Sequence, residues 1–166
     1  MTVPRLTAEA SRNRRYAISA GLATVIVALD LVTKRIGEAK LDRGQAHWLI
    51  DGWVGLERAS NSGVAFGLLD GRRAVWVLLV VAVAGLGWIT WDLTRNQTSV
   101  AGLLPVAAVA AGAAGNLIDR LGDGRVTDLF AVGPWPRFNI ADSSLTIGLA
   151  LVLVQAAAAK GPDLDD

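Results

Sequence analysis

The stretch Val100–Ile118, VAGLLPVAAVAAGAAGNLI, runs for 19 residues without a charged side chain and ends on Asp119-Arg120. At about 1.5 Å rise per residue it is long enough, as a helix, to cross the roughly 30 Å hydrocarbon core of a bilayer. Three further stretches read the same way: Tyr16–Thr33, Ala74–Trp91 and Ser143–Ala159. Together the four contain one charge, Asp30, of the 31 in the 166-residue chain. Backbone polar groups in lipid must be satisfied within the segment, so each run is helical. The sequence therefore predicts an all-α membrane protein, a four-transmembrane-helix bundle with spans at about 16–33, 74–91, 100–118 and 143–159, in one domain over 1–166.

Composition narrows the chemistry. A net charge of +1 offers nothing to a polyanion, so nucleic acid is not an expected partner, whereas membrane lipid is. Cysteine is absent and His47 is the single histidine, which excludes disulfides, thiolate nucleophiles and a two-histidine zinc helix. No metal or other cofactor is expected. Arg12, Arg14 and Arg15 before the first apolar run imitate a signal peptide, but no clean small-x-small site follows and three more spans come after it. The run reads as a retained first helix.

Four spans put both termini on one side. The short link Asp92–Ser99 shares that side, and the long links Lys34–Arg73 and Asp119–Asp142 share the other. Counting Lys and Arg on the two sides does not decide which is cytoplasmic, since charges cluster at both ends of the first span. Within the first long link, HWLI, then Asp51-Gly52, then WVGLERA has apolar residues on both sides of a favoured two-residue turn, which predicts a small antiparallel sheet at the membrane surface. The six tryptophans, Trp48, Trp53, Trp76, Trp88, Trp91 and Trp135, fit an interfacial belt. Ala107, Ala111 and Gly115 recur every four residues and predict close helix packing. The acidic end, Asp163, Asp165 and Asp166, reads as a tail.

The polar residues of interest gather at span ends. Asp30 lies in an apolar run one turn before Lys34, where the two can pair. Ser60-Asn61-Ser62-Gly63 follows the hairpin and offers hydrogen bonds to an extended peptide. The densest group spans the third link: Asn116, Asp119, Arg120, Asp128, Asn139 and Asp142. Pro134-Trp135-Pro136 prevents a continuous helix and favours a chain that doubles back, bringing Asp128 towards Asp142. Two carboxylates in a poorly hydrated site share a proton and can act as base and acid together, which amide hydrolysis requires. Plainer readings exist: Asp142 as a helix cap, Asp119 with Arg120 as a surface ion pair, Asp123-Gly124 as a turn. Two other functions use the same acids. A cation-coupled transporter would use Asp30 and Asp142, and a metal-dependent headgroup transferase would use Asp119, Asp123 and Asp128.

In these residues the sequence resembles the lipoprotein signal peptidases (signal peptidase II), membrane aspartyl proteases of bacteria. Four boxes occur in order: Asp30-Leu31-Val32-Thr33-Lys34; Asn61-Ser62-Gly63-Val64-Ala65-Phe66; Gly115-Asn116-Leu117-Ile118-Asp119-Arg120 with Gly124-Arg125-Val126-Thr127-Asp128-Leu129; and Phe138-Asn139-Ile140-Ala141-Asp142-Ser143. The departures are Ser60, where a residue such as Arg is usual, and Ala111, where a glycine pair is common. The resemblance implies Asp128 and Asp142 as the catalytic pair, with Asp30, Lys34, Asn61, Gly63, Asn116, Asp119, Arg120, Asn139 and Ala141 binding substrate or supporting the site. It also implies a monomeric enzyme of the bacterial inner membrane, with cytoplasmic termini and an extracytoplasmic sheet. The implied activity is cleavage of diacylglyceryl-modified prolipoproteins on the N-terminal side of the lipidated cysteine.

Overall fold

The computed structural model describes residues 3–61, 71–95 and 99–159. Its elements are α1 (Val3–Lys40), β1 (Ala46–Ile50), β2 (Val54–Asn61), α2 (Gly71–Arg95), α3 (Val100–Gly122), β3 (Val126–Val132) and α4 (Ile140–Ala159). Among the described residues α1, α3 and α4 are long and apolar enough to cross a membrane, and α2 contributes a shorter apolar stretch, Trp76–Trp88.

The helices outrun the apolar stretches that predicted them. The first spans 38 residues where the sequence indicated 18. Its polar ends are rich in Ala, Arg, Glu and Leu, residues that favour helix in water as well as in lipid. The fourth begins at Ile140, three residues before the first residue of its apolar run.

The third helix is the hub, packed against the other three. Leu103, Ala107, Ala111 and Ala113 on it are buried, and Leu78 and Ala82 of α2 join Ala113 in a small core with Leu117 and Leu145 around it. Small residues set the distance to α4. A Cβ at Gly112 would run into the Ala141 carbonyl, and one at Gly148 would sit 2.8 Å from the Pro105 carbonyl oxygen. Pro105 inside α3 cannot donate to the carbonyl of Ala101, and Gln155 of α4 fills that gap with a 3.0 Å hydrogen bond. Ser144 likewise donates to the Ala108 carbonyl oxygen at 2.8 Å.

The sheet has three antiparallel strands in the order β1-β2-β3. The hairpin is present, but its loop is three residues, Asp51-Gly52-Trp53, rather than two. Trp53 N–H donates to the Ile50 carbonyl at 2.9 Å, closing a β-turn, and Gly52 sits at φ +69°, the left-handed conformation that favours glycine at the third position of such a turn. The sequence reading did not anticipate β3. Together with β2 it docks the sheet on α1: Thr127 Oγ1 of β3 donates to Glu38 Oε1 at 2.8 Å, and Arg58 of β2 donates to the Glu38 carbonyl at 3.0 Å. All six tryptophans are exposed, as an interfacial belt requires.

Candidate active site

The chain reversal predicted from Pro134 and Pro136 has a definite cause. After β3, Gly133 turns at φ +45° and Trp135 N–H closes on the Val132 carbonyl at 2.9 Å. Phe138 then runs back beside Phe130, exchanging backbone bonds of 2.8 and 3.2 Å. Their rings pack at 5.6 Å between centroids. This delivers Asn139 and the start of α4 to Asp128, in the middle of β3.

Asn139 caps α4. Its Oδ1 accepts from the Asp142 backbone N–H at 2.8 Å, and Asp142 Oδ2 accepts from the Asn139 N–H at 3.3 Å. This reciprocal capping box satisfies two N–H groups at the helix start. The other end of the same amide, Asn139 Nδ2, donates to Asp128 Oδ1 at 2.8 Å. One side chain thus bridges both aspartates. Asn116 on α3 donates through Nδ2 to Asp142 Oδ1 at 2.7 Å, and Asn61 at the end of β2 donates to Asp128 Oδ2 at 3.2 Å. The sheet register, with Ala59 opposite Asp128 and Asn61 opposite Val126, sets that last contact.

Below the aspartates is an ionic cluster. Lys34 Nζ lies 2.6 Å from Asp30 Oδ2, 2.8 Å from Asp119 Oδ2 and 3.1 Å from Asn116 Oδ1. Lys34 is 2% exposed and Asp30 is fully buried. The second oxygen of Asp30 accepts from the Ala141 N–H at 2.9 Å, so an acid of the first helix anchors the start of the fourth. Gly115 has no side chain because Asp30 Oδ2 and Ala141 Cβ occupy that space, 2.8 and 3.2 Å from where a Cβ would be.

Asp128 is 2% exposed. Burial, reinforced by the Asp142 carboxylate, pushes its pKa up to about 7, against the opposing pull of the amides of Asn61 and Asn139 and of the Lys34 ammonium.

The structure thus gathers Asp30, Lys34, Asn61, Asn116, Asp119, Asp128, Asn139, Ala141 and Asp142 into one connected network. Arg120 joins it by donating to the Asn116 carbonyl at 3.2 Å. Gly63 lies outside the described residues, with Ser62, Val64, Ala65 and Phe66 of its box and the acidic tail. Asp119 and Arg120 are not a surface pair: Arg120 is buried and Asp119 turns to Lys34. Asp123 accepts from Arg125 N–H at 3.0 Å in the turn before Gly124. Among the described residues Asp119, Asp123 and Asp128 do not converge as metal ligands would. Sequence reasoning missed Thr127 and Glu38, which fix β3 to α1. A β-branched residue beside a candidate catalytic acid was the available signal.

A helical membrane protein in which one asparagine amide joins a buried aspartate on a strand, Asp128, to a half-buried one in the first turn of a helix, Asp142, is the class that fold and site define. A family model described as signal peptidase (SPase) II matches residues 22–158. A lipoprotein signal peptidase of Desulforapulum autotrophicum is 38% identical over 152 residues, covering 86% of this chain and 93% of the relative. One from Chlorobium phaeobacteroides is 34% identical over 145 residues, covering 80% and 86%. A solved structure described as a bacterial membrane enzyme superposes with a TM-score of 0.80 at 28% identity, over 90% of this chain and 93% of that one. The chain belongs to the signal peptidase II family and is a protease.

Proposed function

We propose that the protein is an aspartyl endopeptidase that removes the signal peptide from diacylglyceryl-modified prolipoproteins, cutting on the N-terminal side of the lipidated cysteine. The observation that carries this reading is Asn139, whose amide holds Asp128 by its nitrogen and the Asp142 backbone by its oxygen. With Asp128 pushed up to about 7, about half of the pairs still hold one proton at neutral pH, and these are the active ones. The ionised carboxylate takes a proton from water as the water oxygen bonds to the scissile carbonyl carbon. The protonated carboxyl gives its proton to the carbonyl oxygen, forming a gem-diol. On collapse the C–N bond breaks, the protonated carboxyl gives its proton to the leaving nitrogen while the other carboxylate takes one from a gem-diol hydroxyl, and the pair returns to its single-proton state.

In this reading α2 is the fourth span of a single-domain bundle over 1–166, and Asp128, Asp142 and the sheet face the extracytoplasmic side, with both termini in the cytoplasm. The exposed Trp48, Leu49, Ile50, Trp53 and Trp135 suit a sheet resting on the membrane surface. A lipidated cysteine then keeps its acyl chains in the bilayer while its scissile bond lies at the depth of the aspartates, which supplies positioning without a deep lipid pocket. No cofactor takes part, and one chain suffices.

The test uses the protein in proteoliposomes with two precursors differing only in the diacylglyceryl group. Cleavage of the lipidated form alone, at the bond before the cysteine by mass spectrometry, is expected. Equal cleavage of both forms would contradict the substrate assignment.

A further inference from the structure

The cluster beneath the aspartates does more than neutralise charge. An ammonium has only donors to offer, so whatever part of Asn116 faces Lys34 Nζ at 3.1 Å must be its oxygen. Asn139 Nδ2 donates to that same oxygen, also at 3.1 Å. Two donors on one oxygen fix the amide's orientation, and its nitrogen is then aimed at Asp142 Oδ1, 2.7 Å away. A flipped Asn116 would set its NH2 against an ammonium and its oxygen against a carboxylate.

We propose that Lys34 is a positioning residue for the Asp142 carboxylate, acting through the side-chain amide of Asn116. This rests on the reading that Asp128 and Asp142 hydrolyse the substrate. Lys34 itself bonds to Asp30, Asp119 and Asn116 rather than to the reacting groups. Among the described residues the charged groups around the pair are Lys34 and Asp30 from α1, and Asp119 and Arg120 from α3. Deleting the ammonium leaves Asp30 and Asp119 uncompensated beside the aspartates, so the pH profile moves to higher pH.

The experiment is a double-mutant cycle of Lys34→Met and Asn116→Ala, with kcat, KM and pH profile measured on a lipidated precursor in proteoliposomes. Lys34→Met alone is expected to lower kcat about 10- to 100-fold while KM changes little, because a misplaced reacting group loses rate before it loses binding. In the Asn116→Ala background the same substitution is expected to change kcat by no more than about twofold. Equal losses in both backgrounds, or a loss carried by KM alone, would overturn the proposal.

Lys34→Met strands buried Asp30 and half-buried Asp119, so Lys34→Gln with Asp119→Asn, which preserves the cluster's net charge, serves as the second variant. It is expected to unfold near the wild-type temperature yet lose about tenfold in kcat. Wild-type kcat in that folded variant would overturn the proposal. Lys34→Arg, again a pure donor, is expected to recover part of the rate. Asp128→Asn and Asp142→Asn in the same assay separate the two ideas. Turnover in either removes the dyad and the Lys34 role with it. Loss in both, with an additive cycle, removes the Lys34 role alone.

Discussion

Asn139 donates through Nδ2 to Asp128 Oδ1 at 2.8 Å, joining the first residue before α4 to the middle of β3. The amide is therefore both a helix cap and a clamp on a carboxylate. Replacing Asn139 with Ala removes the cap, for about 1 kcal/mol of stability. It also frees Asp128 from the start of α4. The expected result is a folded protein, with a melting temperature in detergent only a few degrees lower, whose turnover falls about 100-fold. Parallel melting and cleavage assays check this, and a loss of activity only in proportion to a loss of folded protein would contradict it.

The raised pKa of Asp128 predicts the alkaline side of the activity profile. Activity needs the pair to hold one proton, so kcat/KM declines as pH rises through about 7 and that proton leaves. Initial rates of precursor cleavage across pH 5 to 9, at about constant ionic strength, read this directly. A profile flat to pH 9 would mean that no proton with a pKa near 7 matters.

The same group links pH to stability. Its folded-state pKa lies above the ordinary value of 3.8, so the folded protein is at no disadvantage while the carboxyl is protonated in both states, loses stability as pH rises above 3.8, and has taken the whole of that loss once pH has passed about 7. Asp128→Asn removes the ionisation. The melting temperature of that variant minus that of the wild type is expected to grow from about pH 4 to about pH 7, at about 1.4 kcal/mol per pH unit, and to level off above that. A pH-independent difference would contradict the buried, raised carboxyl.

Close packing of α3 and α4 makes Gly112 and Gly21 opposite cases. A methyl at Gly112 meets the Ala141 backbone carbonyl, which cannot swing away, and displaces the helix that carries Asp142. Gly112→Ala is expected to destabilise by about 1–3 kcal/mol. A methyl at Gly21 meets nothing within 4 Å, so Gly21→Ala is expected to be neutral or slightly stabilising. Thermal unfolding of the two variants side by side checks the contrast.

Much of this architecture was legible because lipid imposes a blunt rule on sequence. Long uncharged runs located the four helices, and Asp51-Gly52 located the hairpin. The third strand, VTDLFAV, escaped because a buried Asp interrupts its apolar pattern and its partner strand ends 65 residues before it begins at Val126. Helix ends escaped because polar helix formers continue beyond the apolar core, by about two turns or more at each end of α1. The Asp30 to Lys34 pairing was readable from their spacing of one helical turn. The bonds from Lys34 to Asn116 and from Asp30 to Ala141 were not, since they depend on how α1, α3 and α4 meet. Proline spacing indicated that the chain doubles back, but the bridging amide of Asn139 emerges only once Phe138 is seen paired with Phe130.

The central claim is that Asp128 and Asp142 act as a single proton-sharing pair. Cleavage of a lipidated precursor by Asp128→Asn, Asp142→Asn and the double variant, each shown to be folded by its melting curve, tests it most directly. Either single substitution is expected to abolish turnover by about 1,000-fold or more, with the double variant no worse than the singles, as residues acting as one unit require. Near-normal turnover in either single variant would contradict the account.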